Sequence, residues 1–118
     1  MLPHMQGCVF CRVAEGGAPA HILFADDEVI AFHDIAPRAP VHVLIIPRRH
    51  IASLAAAGTD DREILGKLLL AAAEVARRTG IAEDGYRVIT NTGARAGQSV
   101  AHLHLHVLGG RTMAWPPG

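Results

Sequence analysis

The sequence predicts an α+β fold, a five-stranded antiparallel sheet with one long helix and short helices. Three observations carry that expectation. Five short apolar or alternating runs are each bounded by turn residues. A single stretch, 60–79, places its apolar residues at helical spacing. The links between these elements are mostly short, which suits antiparallel neighbours.

After a short segment around Cys8 and Cys11, HILFADDEVIAFHDI (21–35) reads as a hairpin with Asp26-Asp27 near its turn. Pro37 and Pro40 break the next connection, and HVLIIP (42–47) is a third strand closed by Pro47. A short helical stretch is expected after His50, through IASLAAA. The long helix follows, with Asp60 as cap, Glu63 completing a capping box and Gly80 as stop. Its apolar stripe is Ile64, Leu65, Leu68, Leu69, Ala72, Val75 and Ala76, and Leu70, Ala71 and Ala73 widen it. Either a second copy of the chain covers the extra surface, or the helix is simply rich in alanine. YRVITN (86–91) and HLHLHVL (102–108) supply the last strands, joined by the loop TGARAGQS.

Half of the 118 residues are hydrophobic and 19% are charged, which fits one globular domain, 1–118. Eleven basic residues balance eleven acidic ones without a long basic run, which argues against nucleic acid or an acidic membrane surface as partner. No apolar run reaches the roughly 18 residues of a membrane span, and MLPHMQG lacks the basic and apolar parts of a secretory signal. The expected location is cytoplasmic and the expected partner small.

The chemistry concentrates in SVAHLHLHVLGG (99–110), where His102, His104 and His106 alternate with apolar residues. In a strand all three rings share one face, while Leu103, Leu105 and Val107 face the core. Neighbouring rings would lie roughly 6.5–7 Å apart, close enough to share one small ligand. Glycines at 93 and 97, with Gln98 and Ser99, suggest a turn that offers amide and hydroxyl donors to an anion. Imidazoles and donors converging on one spot suit a phosphate ester or phosphoramidate. A histidine attacks phosphorus when one ring nitrogen is free and the other carries the proton. No Walker-type loop and no cluster of carboxylates for two metals is present, so the chemistry rests on histidine.

H-L-H-L-H-V-L, with G-Q-S-V before it and G-G-R after it, resembles the signature of the histidine triad family. FHDIAPRAPVHVLIIPRRHI (32–51) resembles that family's nucleotide-binding half, and the terminal WPPG its Hint branch of nucleoside phosphoramidases. The likeness runs from about Cys8 to Gly118 and implies a HIT-like fold. It makes His104 the nucleophile, His106 the phosphate contact and His42 a supporting histidine. His102 and Ser99 join them in the catalytic set. It sets Asn91, Gly97, Gln98 and Ser99 near the phosphate and leaving group, and gives Asp34 the ribose hydroxyls. Phe10, Phe32, His33, Ile35 and Leu44 match the purine wall. Trp115, in a tail of about 111–118, matches a residue near the partner's site in dimeric relatives. A transferase branch carries Gln where His106 stands, so His106 points to hydrolysis. Arg95 departs from the small or acidic residue of Hint relatives.

C-V-F-C (8–11) reads as a redox pair, as two thiols without a role, or as half of a structural zinc site. Resemblance to some bacterial relatives supplies His50 and His102 as the other two ligands. No organic cofactor is expected. The resemblance implies a homodimeric hydrolase that cleaves P–N bonds of purine nucleoside phosphoramidates. The alternatives are hydrolysis of another linkage, such as a dinucleoside polyphosphate, and a zinc-stabilised nucleotide- or protein-binding module with little turnover.

Overall fold

Asp26 starts the sheet by closing a tight turn. Its Oδ1 accepts from the backbone N–H of Glu28 at 2.8 Å and of Val29 at 2.9 Å. The flanking strands are β1 (Ile22–Ala25) and β2 (Val29–His33), and they pair antiparallel. The computed structural model describes residues 7–118, so most of the stretch read as lacking a secretory signal lies outside the described residues. The remaining strands are β3 (Val41–Pro47), β4 (Tyr86–Ile89) and β5 (Leu105–Gly109). All pairings are antiparallel, in the order β1-β2-β3-β5-β4. The expected α+β architecture is the observed one.

Three boundaries differ from the expectation. β5 begins at Leu105 and not at His102, because the Leu103 N–H leaves the ladder and bonds the Ile51 carbonyl at 2.6 Å. β4 ends at Ile89 and not at Asn91; next to it, the Thr90 hydroxyl donates to the His104 carbonyl at 2.9 Å. The segment around the cysteines, given no element from sequence, is a helix, α1 (Val9–Ala14). Cys8 caps it, its Sγ accepting from the Cys11 N–H.

The long helix, α2 (Arg62–Thr79), is entered through a 3-10 turn at Thr59–Asp61. Asp61, not Asp60, holds that entry. Its carboxylate accepts from the Gly58 N–H and from the Arg49 guanidinium, so the box spans Gly58–Asp61, two residues before the expected Asp60–Glu63. Gly80 ends the helix in the left-handed region at φ 79°, as expected. The short helix after His50 is a single 3-10 turn, Leu54–Ala56.

One face of the sheet packs on α2. Val29, Ala31, Val43, Ile45, Leu105 and Val107 meet Leu68, Ala71, Ala72, Val75 and Ala76 there. Leu69, expected in this stripe, is instead 61% exposed, and its neighbour Leu70 73%. On the opposite face α1 covers only β2 and β3, where Phe10 and Val13 join Ile30, Phe32, Leu44 and Ile46. Alternation sends His42, His106, Leu108, Arg87 and Ile89 to the uncovered part of that same face.

At the end of β5 the chain has little freedom. A Cβ on Gly109 would meet Ile81 Cδ1 at 2.5 Å, and Gly110 turns at φ 89° against Pro40. The tail then runs back over the sheet, where Arg111 donates to the Arg38 carbonyl and Arg87 to the Ala114 carbonyl.

Candidate active site

The three triad histidines do not share one ligand. His102 is fully buried, and its ring belongs to a separate group with Cys8, Cys11 and His50. The ligand atoms of those four residues lie within 4.8 Å of one another, so the group could hold a metal ion. Three segments build it: the cap of α1, the loop after β3 and the segment before β5. His102 Nε2 sits 2.8 Å from the Pro47 carbonyl. A carbonyl only accepts, so Nε2 carries the proton and Nδ1 turns its lone pair to the thiols. Burial lowers the pKa of both His50 and His102 and keeps them neutral, the form that ligates.

His104 and His106 lie side by side, with ring centroids 5.0 Å apart. His104 Nδ1 lies 2.7 Å from the His102 carbonyl and must donate to it. Its Nε2 therefore keeps a free lone pair. Phe10 packs edge-on against the ring, with centroids 5.1 Å apart.

The other pair is set by a relay from the backbone. The Arg38 N–H donates to His42 Nδ1 at 3.0 Å, which leaves the proton of neutral His42 on Nε2. That nitrogen donates to His106 Nδ1 at 2.9 Å, so His106 presents Nε2–H outward. Burial, with His104 and His42 nearby, pushes His106 down to about 4. Burial also lowers His42, with Arg38 acting in the same direction and Asp34 opposing it. Both rings are neutral at pH 7, as the relay requires. Asp34 Oδ2 lies 3.4 Å from His42 Nε2, and Oδ1 accepts from the Ala36 N–H. Asp34, His42 and His106 are close enough to suggest a second metal group. The relay argues against it, since two of the ligand nitrogens are committed to hydrogen bonds.

A cleft of about 390 Å³ opens at His42, His106 and Asn91 and continues past Arg38, Arg87 and Arg111 to the tail. A larger hollow of about 580 Å³, between Asp84–Arg87 and 110–113, contains no histidine. Ser99 is exposed and lines a third hollow with Cys8 and His50.

The glycine loop works differently from the expectation. The N–H groups of Gly93, Ala96, Gly97 and Gln98 are all spent inside it. Gln98 braces it, accepting from Gly93 and donating to the carbonyls of Ala52 and Val100. Phe10, Phe32 and Leu44 do form one apolar wall. His33 falls on the other face of β2 and stacks on His21 at 4.6 Å, as strand alternation demands. Ile35 is 97% exposed and Trp115 81%. Sequence reasoning missed Arg38 and Pro47. Both act through main-chain atoms, which leave no mark on residue type.

Fold and site together define a protein with clustered imidazoles on an antiparallel sheet. The chain belongs to the HIT domain family, whose profile matches residues 15–113. An uncharacterized HIT-like protein of Synechococcus elongatus is 47% identical over 113 residues, 96% of this chain and 98% of the relative. A second, from Synechocystis, is 49% identical over the same shares. Among solved structures, a HIT family hydrolase from Legionella pneumophila superposes with a TM-score of 0.92 at 48% identity, covering 94% of this chain and 99% of that one. One from Clostridium thermocellum gives 0.92 at 49% identity, covering 94% and 96%. The chain is thus similar to HIT family hydrolases over nearly its whole length. No helix among the described residues is long and apolar enough to cross a membrane.

Proposed function

We propose that the protein hydrolyses P–N bonds of purine nucleoside phosphoramidates through a nucleotidyl-His104 intermediate. The observation that carries this is the His104 Nδ1 to His102 carbonyl bond at 2.7 Å, which leaves Nε2 free to attack. Nε2 bonds to phosphorus, the P–N bond breaks, and the amine leaves with the bonding pair and takes up a proton from solvent in the open cleft. Water then attacks phosphorus and gives a proton back to solvent, the P–Nε2 bond breaks with its electron pair returning to Nε2, and nucleoside monophosphate departs. The outward Nε2–H of His106 hydrogen-bonds a phosphoryl oxygen as charge builds there. Asp34 Oδ2 accepts from the ribose hydroxyls, and the wall of Phe10, Phe32 and Leu44 receives the purine.

Zinc is the metal we assign to the Cys8, Cys11, His50 and His102 group. Bonds of about 2.3 Å to sulfur and 2.0–2.1 Å to nitrogen put tetrahedral ligand atoms about 3.5 Å apart. The N···S separations here are 3.4, 3.2 and 3.5 Å. When bound, zinc supplies a four-ligand cross-link with no position open to substrate. The working unit is a homodimer in this reading. Exposed Leu69 and Leu70 on α2, with Tyr86 and Val88 on edge strand β4, support a second copy as their cover.

Turnover of an adenosine 5′-phosphoramidate tests the assignment. Replacing His104 with Ala should cost on the order of 10³-fold or more in kcat, while adenosine monophosphate still binds. Near-native rates in that variant would end the covalent mechanism. Turnover of dinucleoside polyphosphates alone would move the substrate, and binding without turnover of either would leave a binding module.

A further inference from the structure

The metal group and the nucleophile share one residue. We propose that His102 is a positioning residue, with its ring locked into the Cys8, Cys11 and His50 group and its carbonyl setting the tautomer of His104. The ligation state of the group then governs how much His104 is in its attacking form. This rests on His104 being the nucleophile.

The His102 ring is held at both of its nitrogens. Its Nε2 donates to the Pro47 carbonyl at 2.8 Å, and its Nδ1 faces the thiols of Cys8 and Cys11 at 3.4 and 3.5 Å. The next amide, Leu103 N–H, bonds Ile51, which adjoins His50. Phe10, between the two cysteines, packs edge-on against both His102 and His104, with centroids at 6.0 and 5.1 Å. The His102 carbonyl accepts from His104 Nδ1. A neutral histidine in water carries its proton mostly on Nε2, and in that form it has no lone pair to attack with at Nε2. The carbonyl reverses that preference. Thiols are weak hydrogen-bond donors, so without an ion at their centre His102 loses the strongest hold on its ring.

The test compares three preparations: zinc-loaded parent, chelator-stripped parent and His50→Ala. His50 touches neither the nucleophile nor the cleft at His106. Metal content is measured alongside ring-nitrogen NMR shifts of His104, adenosine monophosphate affinity and single-turnover nucleotidylation. Loaded parent should show one His104 tautomer, protonated at Nδ1. Both metal-free preparations should lose that single signature, slow nucleotidylation on the order of 10²-fold, and largely keep nucleotide affinity. An unchanged tautomer after metal loss would overturn the proposal, as would an unchanged nucleotidylation rate. If His50→Ala does not fold, the stripped parent makes the same comparison. If loaded parent cleaves no phosphoramidate, the functional reading fails, while the tautomer result still decides this one.

Discussion

One face of the sheet is finished in two different ways. Over β2 and β3, α1 lays Phe10 and Val13 on Ile30, Phe32, Leu44 and Ile46, and none of them is more than 8% exposed. Over β5, β4 and the first residues of β3 the same face carries His42, His106, Arg87 and Ile89 beneath an open cleft and a thin tail. Side chains in the covered half are fixed by apolar contact. In the open half they are fixed by hydrogen bonds to the main chain, such as Arg38 N–H to His42. His104 sits on the boundary, buried at 3% exposure yet next to the half-open His106. The nucleophile role proposed for His104 would need both: packing to hold its ring, and an opening for its substrate.

Phe10→Ala should do the most damage to this arrangement. It removes a buried ring from the covered half and should cost about 3 kcal/mol of stability, read from denaturant midpoints. A cost near that of a surface change would mean that α1 does not seal this half.

Acid should act on the open half with a smaller effect. His106 stays neutral in the fold down to about 4, whereas the unfolded chain binds that proton near 6.5. Stability from the neutral ring is therefore complete above about 6.5 and falls as pH drops from there towards 4. Measured against pH, the parent should lose stability across that window more steeply than His106→Asn. Parallel curves would show that the relay does not hold the ring neutral.

Arg87→Ala should be the mildest. It deletes an exposed bond to the Ala114 carbonyl in the open half, and the expected loss is about 0.5 kcal/mol. A loss matching that of Phe10→Ala would erase the contrast between the halves.

Much of this was legible in the sequence, because periodicity reports burial. The helical spacing from Ile64 to Ala76 and the alternation through Leu105 and Val107 mark the two sides of the main core. The C-x-x-C spacing marked Cys8 and Cys11, and resemblance to bacterial relatives added His50 and His102; these four do meet in space. What alternation could not tell was that His102 and His104 precede the strand, since their partners, the Pro47 carbonyl and the adjacent peptide, come from the chain's path. The capping residue was misjudged by one position because Asp60 and Asp61 are chemically alike, and only the 3-10 turn separates them. Leu69 fits the helical spacing yet stands exposed, because spacing marks an apolar residue and not the surface it meets.

Pro47 holds a metal-group histidine through its carbonyl oxygen alone, and every amino acid has that oxygen. Substitution scanning at position 47 will therefore report on packing and turn geometry and stay blind to the hydrogen bond. The same holds for the Arg38 amide, which any residue but proline can supply. Natural variation at these two positions can erase the side chains while the imidazoles keep their tautomers. Function here is inherited partly as a route through space, not as a set of letters.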